Sequence, residues 1–321
     1  MGKTVIRVVA LVIILLLLTV FVPAATPLVI AEESVSLPVY EPQTLTAGEV
    51  EAVPYGKDTP YAPHADAFLP DNAGYVDPSL SIRIDTLRLH DTDIMLAWVQ
   101  IAHPSQLRAA LYRPYPSKKV ALVSQIAKRE QAVLAINGDW FMDRKEGYIV
   151  RNGNEPYRTG FGTNADVIDL LVIDENADFH VIRSYDEDNI NEFLATGHEI
   201  IHSYAFGPAL VVDGEISSED DLAKLRLNDP LGRAQRMAIC QMDALSYLIV
   251  ATEGPENENS LGLTVPEMAQ LCHDLGAKTA YNLDGGNSTC IALNYKKING
   301  NVKKPRSVGD ILYFVTAVPE E

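Results

Sequence analysis

Read for the alternation of apolar and polar residues, the chain from Leu80 onward predicts many short strands and few helices. "SIRIDTLRLH" sets Ile82 and Ile84 between polar neighbours, the period-two pattern of a half-buried strand. "DIMLAWVQIA" reads as a second strand, and Asp91-Thr92-Asp93 between them suits a hairpin turn. "SKKVALVSQIAKRE" (117–130) carries Val120, Leu122, Val123, Ile126 and Ala127 on one helical face, with Ser117 as the expected N-cap. "AVLAIN" follows as a buried strand that ends at "GDWF". "DVIDLLVIDENADFHVI" (166–182) reads as a hairpin, "NINEFLA" as a short helix, and "YAFGPALVVDGEI" as two strands broken at Gly-Pro. "RMAICQMDALSYLIVAT" is a strand pair turning at Asp243. "TVPEMAQLCHDLGA" (264–277) has full helix punctuation: Thr264 as N-cap, Pro266 in the first turn, Glu267 at the capping-box position and Gly276 at the end. "TAYNL" and "SVGDILYFVTAV" are the last strands. Strands outnumber helices and several are hairpin-linked, so the expected fold class is α+β, a mixed or mostly antiparallel sheet with packed helices. Unbroken patterning predicts a single domain over residues 79–321.

What precedes that domain differs in kind. Lys3 and Arg7 flank the start of an apolar run from Val8 to Val22, interrupted only by Thr19. Residues 1–31 therefore read as a signal peptide or a membrane anchor, either of which puts the rest of the chain outside the cytoplasm. Residues 32–78 hold seven prolines, many acidic residues and no sustained periodicity, the composition of an extended linker. The net charge of −17 argues against a nucleic-acid partner, because a phosphate backbone needs a basic footprint. Three cysteines, Cys240, Cys272 and Cys290, each in apolar context, read as core residues rather than a disulfide framework. With no Cys-x-x-Cys and no clustered cysteine ligands, no metal site is expected.

Three strand ends carry polar groups that a plain fold does not require. Asn137-Gly138-Asp139 sits beside Trp140 and Phe141. These are ordinary turn formers, but a carboxylate next to aromatics also suits a sugar cleft. Arg233 and Arg236 precede an apolar strand; a guanidinium there is either a solvated edge or a clamp for phosphate or carboxylate. "AYNLDGGNSTCIALN" (280–294) combines Gly285 and Gly286 with side-chain oxygens from Asn282, Asp284, Asn287, Ser288 and Thr289. An EF-hand loop started at Asn282 fails at positions 5, 6 and 12, where Gly286, Asn287 and Leu293 stand. A Gly-Gly hairpin turn explains the glycines but not the run of oxygens.

"NLDGGNST" resembles the Asn-Leu-Asp-Gly-Gly-Gly-Ser signature of the phosphodiester glycosidase family. "AINGDWF", "FGPALVVDG", "RMAIC", the run "GLTVPEMAQLCHDLGAKTAYNLDGG" and "KPRSVGDILYF" resemble further segments of that family, in order, over about residues 80–318. Asn287, Cys240 and Gln235 depart from the pattern, and none of the three removes a carboxylate, the signature Asn or an arginine. The resemblance implies hydrolysis of a sugar-1-phosphodiester at the glycosidic C1–O bond, with no cofactor. It makes Asp284 the first carboxylate at the oxocarbenium-like centre and Asp139 the second. Arg236 and Arg306, helped by N–H groups at Gly285 and Gly286, are the expected phosphate clamp. Asn137, Gly138, Asn282 and Ser288 are expected to shape and bind the substrate. The extracytoplasmic reading points to a cell-envelope or exopolysaccharide glycan, with the membrane as a partner if the first segment stays uncleaved. The rival from another class is a surface-tethered module that binds an anionic glycan without cutting it, and a calcium-stabilised structural domain is the third reading.

Overall fold

The computed structural model describes residues 36–46, 48, 50–54, 61–143, 147–154, 158–160, 169–224, 230–300 and 305–319. The apolar run of residues 8–22 lies outside them. Among the described residues no helix is long and apolar enough to cross a membrane.

The described strands, in chain order, are β1 (Gly74–Val76), β2 (Leu80–Leu89), β3 (Thr92–Ile101), β4 (Leu107–Leu111), β5 (Leu134–Asn137), β6 (Gly147–Ile149), β7 (Arg158–Gly160), β8 (Leu170–Asp174) and β9 (Phe179–Ile182). They continue as β10 (Ile200–Tyr204), β11 (Ala209–Val212), β12 (Glu215–Ile216), β13 (Met237–Asp243), β14 (Ser246–Thr252), β15 (Thr279–Leu283), β16 (Ile291–Leu293), β17 (Lys296–Lys297) and β18 (Asp310–Phe314). The described α-helices are α1 (Val123–Arg129), α2 (Glu187–Ala195), α3 (Glu219–Leu222) and α4 (Val265–Asp274).

Two sheets make the body. The larger runs β1-β2-β3-β14-β13-β15-β11-β12, the smaller β17-β16-β5-β18-β4. Every pairing within them is antiparallel. Alternation along each strand sorts side chains into layers. Ala97, Val99, Met237, Ile239, Tyr247, Ile249, Tyr281 and Leu283 of the large sheet meet Leu134, Ile136, Ile291, Leu293, Leu312 and Phe314 of the small one in one core. The opposite residues of the large sheet, among them Leu96, Leu248, Val250, Ala238 and Ala280, pack on Met268, Leu271 and Cys272 of α4. The outer face of the small sheet, with Ala135, Ile311 and Tyr313, packs on Ile126 and Ala127 of α1. The order is helix, sheet, sheet, helix. "SYLIVAT" is apolar at successive positions because both faces of β14 are covered. A third sheet, β10-β8-β9, closes one side of the shared core with Leu171, Ile173, Phe179 and Tyr204.

The helix at 264–277 forms as its punctuation predicts. The Thr264 hydroxyl accepts from Glu267 N at 3.2 Å and Glu267 Oε2 accepts from Thr264 N at 2.9 Å. The β2–β3 turn falls at His90 and Asp91, both at positive φ, one residue before the expected Asp-Thr-Asp. The helix expected over 117–130 begins only at Val123. Ala121 instead exchanges backbone hydrogen bonds with Val308 at 3.1 and 2.8 Å, so the segment before the helix is extended and Ser117 caps nothing. The cause is long-range pairing, which local periodicity does not register. All three cysteines are buried thiols.

Packing also starts before residue 79. Tyr75 in β1 is fully buried, and Asp77 Oδ1 accepts from Ser79 N at 2.6 Å and Leu80 N at 2.8 Å. Val53 is buried, and Tyr40 stacks on Trp98 with ring centroids 6.0 Å apart. Among the described residues of 36–73 the regular structure is limited to 3-10 turns at Ala65–Ala67 and Pro70–Asn72, but part of the expected tether lies on the domain.

Candidate active site

The signature loop leaves β15 in the large sheet and enters β16 in the small one, so residues 284–290 span the edge where the two sheets meet. Asn137, the last residue of β5, fastens this crossing. Its Nδ2 donates to the Asp284 carbonyl at 2.7 Å and its Oδ1 accepts from Cys290 N at 3.1 Å. Asp284 N approaches the Gly138 carbonyl at 3.4 Å. Three strand ends, those of β5, β13 and β15, are thereby drawn together around a cleft of about 150 Å³. Its wall includes Trp140, Phe206, Gln235, Arg236, Asn282 and Asp284, with Gly285, Gly286 and Arg306 at the loop side.

Register explains why these side chains meet. Met237 lies opposite Leu283 and Ala238 opposite Asn282, so Arg236 and Asp284 leave neighbouring strands side by side. Arg236 is buried. Its Nε donates to the Leu263 carbonyl at 3.0 Å and its Nη2 to the Gly232 carbonyl at 2.7 Å, which fixes the guanidinium plane at the wall. Asn282 donates from Nδ2 to the Gly207 carbonyl at 2.8 Å, while its Oδ1 and Gln235 Nε2 are buried without a hydrogen-bond partner. A buried polar atom without a partner costs about 1–3 kcal/mol, and a bound ligand is one way to repay it. Arg306 is exposed, and its backbone N donates to the Asn287 carbonyl at 2.9 Å. Trp140 sits at φ 55°, a left-handed conformation that a bulky residue adopts only under constraint. Trp140 and Arg306 also line an adjoining hollow of about 350 Å³ with Phe141, Met142 and Val308.

Other expected site residues do different work. Asp139 is fully buried and is not among the residues that line the cleft. Its Oδ2 accepts from Ala205 N at 2.9 Å and its Oδ1 lies 3.2 Å from Arg151 Nη2. Arg151 is also fully buried, bound to Asp310 Oδ2 from Nη2 at 2.7 Å and from Nε at 3.1 Å, with its guanidinium carbon 4.1 Å from the Tyr204 ring centroid. Burial opposes the charge on Arg151, and the carboxylates of Asp310 and Asp139 more than offset it, so its pKa lies above the usual value. Asn137 spends its amide on the loop. The Gly286 N–H donates to the Gln235 carbonyl at 2.9 Å and is thereby committed to the fold rather than to an anion. Gly285 is there for close approach: a Cβ on it would stand 2.5 Å from the Gln235 carbonyl oxygen. A Cβ on Gly138 would meet the Asp310 carboxylate at 2.3–2.4 Å. Ser288 is buried with its Oγ unpartnered and lies outside the cleft wall.

The model of a known family, phosphodiester glycosidase, matches residues 130–315, more than half of the chain. This chain belongs to the phosphodiester glycosidase family. The matched phosphodiester glycosidase region contains the ends of β5, β13 and β15, and with them the whole cleft wall. Among solved structures, one similar chain is the zebrafish N-acetylglucosamine-1-phosphodiester alpha-N-acetylglucosaminidase catalytic domain auto-inhibited by its pro-peptide. It is 17% identical, with a TM-score of 0.57 over 79% of this chain and 86% of that one. A hypothetical protein from Synechocystis is 16% identical, with a TM-score of 0.50 over 73% of this chain and 62% of the other. At these identities the likeness is one of fold. No curated protein matches.

Sequence reasoning missed Arg151, Gln235 and Phe206 as parts of this cleft or its support. Phe206 had a local signal, since it opens the Phe-Gly-Pro segment. Arg151 had none: it lies 12 residues from Asp139 and 159 from Asp310 in sequence.

Proposed function

We propose that this protein hydrolyses a sugar-1-phosphodiester at the glycosidic C1–O bond. Water adds to C1, the C1–O bond breaks, and the products are a free sugar and a phosphomonoester. The observation that carries the reading is the juxtaposition of the Asp284 and Arg236 side chains in one cleft wall, at the end of adjacent strands, in a chain of this family.

The chemistry asks for little acid assistance, because a phosphomonoester is a good leaving group. It asks for two things instead: a carboxylate near the positive charge that develops at C1, and fixed cations near the negative charge that develops on phosphate. Asp284 takes the first role, as nucleophile or as base for water. Arg236, held flat by two carbonyls, and Arg306 at the rim take the second. Asn282 Oδ1 and Gln235 Nε2 offer one acceptor and one donor to sugar hydroxyls or phosphate. Asp139 holds Arg151 and the segment at Ala205, so we assign it a positioning role in place of the second carboxylate role. A chain with 43 acidic and 26 basic residues concentrates two arginines at this cleft, which suits an anionic substrate. The apolar run at residues 8–22 supports an extracytoplasmic setting, and hence a cell-envelope or exopolysaccharide phosphodiester as the natural substrate.

The test is release of phosphomonoester from a panel of sugar-1-phosphodiesters by wild type and Asp284→Asn. Turnover by wild type that the variant loses supports the hydrolase. A folded wild type that binds these compounds without turning any over would make the domain a glycan-binding module.

A further inference from the structure

The three-stranded sheet β10-β8-β9 carries a cluster that the cleft does not use. Asp174 ends β8, His180 lies on β9, and His198 precedes β10 by two residues. His180 stands opposite Val172, two residues before Asp174, so alternation puts Asp174 and His180 on one face as diagonal neighbours. Ile200 stands opposite Asp174, which brings the residues just before it to the same corner. Both imidazoles converge on a single oxygen. His180 Nε2 and His198 Nδ1 each lie 2.9 Å from Asp174 Oδ2, and the three atoms all lie within 4.8 Å of one another.

From these contacts we infer that Asp174, His180 and His198 form a binding site for a zinc-class divalent cation. The first support is the unmade hydrogen bond. His198 Nδ1 is buried and has no hydrogen-bond partner although it lies 2.9 Å from a carboxylate oxygen, because its approach lacks the direction that an N–H···O bond needs. A ring nitrogen so placed has its lone pair available to a third atom. The second is how firmly the ligands are held. Asp174 is fully buried, and its other oxygen, Oδ1, accepts from Asn176 N and Asp178 N at 2.9 Å each, which leaves Oδ2 facing the rings. Phe193 of α2 stacks on the His198 ring at 5.7 Å and packs tilted against His180 at 5.1 Å.

A fourth donor is at hand. Glu175 Oε1 lies 3.5 Å from His198 Nδ1, while Glu175 Oε2 is anchored by Glu199 N at 2.8 Å. Two imidazole nitrogens with one or two carboxylate oxygens favour zinc and its neighbours over calcium or magnesium, which take oxygen ligands. Tetrahedral zinc with nitrogen and oxygen ligands near 2.0–2.1 Å spaces them about 3.3 Å apart, so each ring nitrogen stands about 0.4 Å nearer to Asp174 Oδ2 than in such a site. The ion would join β8, β9 and the start of β10, making it a structural staple for the small sheet. Sequence spacing hid it, since the ligands stand 6 and 18 residues apart.

The experiment uses the full chain purified without a polyhistidine tag and stripped by chelator. Zinc chloride is titrated in by calorimetry, cobalt(II) is added to read nitrogen ligation in its visible absorption, and melting is followed with and without zinc. Wild type is expected to bind one zinc, to show tetrahedral cobalt bands and to melt higher with zinc. His198→Ala is the main variant, because that side chain is about a third exposed and its loss is expected to be tolerated by the fold; His180→Ala is the second. Each is expected to weaken zinc at least about tenfold and to abolish the melting shift. Zinc binding by both variants with wild-type affinity, or no one-site binding by folded wild type, overturns the site.

Discussion

Asn137 Nδ2 donates to the Asp284 carbonyl at 2.7 Å, one hydrogen bond that joins the end of β5 in the small sheet to the signature loop of the large one. The carboxylate proposed for the chemistry is therefore placed by a residue 147 positions away that does not line the cleft. Replacing Asn137 by Asp puts an acceptor where the donor was, against a carbonyl. The expected result is a stability loss of about 1–3 kcal/mol and a fall in kcat larger than any change in KM. Denaturant unfolding and steady-state kinetics on one sugar-1-phosphodiester check both.

Asp284→Asn keeps the shape of the side chain and removes its charge. Turnover should fall roughly a thousandfold or more while the melting temperature changes little. A variant that keeps a tenth of wild-type kcat would move the carboxylate role elsewhere.

Asp139→Asn separates positioning from chemistry. Its carboxylate is one of two that share the buried Arg151, and breaking a buried pair costs about 3–5 kcal/mol. The melting temperature should drop sharply. Activity per folded molecule, measured well below that temperature, should fall much less than in Asp284→Asn. Full stability with lost activity would restore Asp139 to the catalytic set.

Neighbouring glycines should respond very differently to alanine. Gly138→Ala drives a methyl to within 2.3 Å of an Asp310 carboxylate that Arg151 holds in place, so the chain should fold poorly. Gly286→Ala meets nothing within 4 Å and carries only the strain of φ 59°, about 1 kcal/mol. Soluble yield and melting curves of the two variants give the comparison.

His202 predicts a loss of stability in mild acid. It is fully buried, its Nδ1 accepts from Asn152 N at 3.1 Å and its Nε2 donates to the Leu107 carbonyl at 3.2 Å, so the neutral ring uses both nitrogens. Burial above all, with Arg151 and Arg108 adding repulsion against the Leu107 bond, pushes its pKa down to about 3, from 6.5 in an unfolded chain. Between those values the unfolded state binds the extra proton. The contribution is whole above pH 6.5 and is lost as pH falls, by about 1.4 kcal/mol per pH unit. Urea unfolding at a series of pH values should show this slope, and His202→Gln should flatten it.

Local signals along the chain were enough for the strand-rich class, the helix at Val265–Asp274 with its capping box, and the family: alternation, punctuation and short motifs in order. They also named most of the cleft wall, since Asn282, Asp284, Arg236 and Arg306 stand at strand ends that can be read from one segment at a time. Tertiary structure alone decided what each polar group faces. Asp139 and Asp284 look alike in sequence, each a carboxylate at a strand end beside glycine, yet Arg151 turns one inward and the edge between the sheets leaves the other at the cleft. The N–H of Gly286 was open in sequence and is taken by Gln235 in the fold. Ser117 lost its helix to the pairing of Ala121 with Val308. In each case the deciding partner lies on a different strand or loop. Periodicity reports which face a residue occupies, and only the packing of the sheets reports what waits on that face.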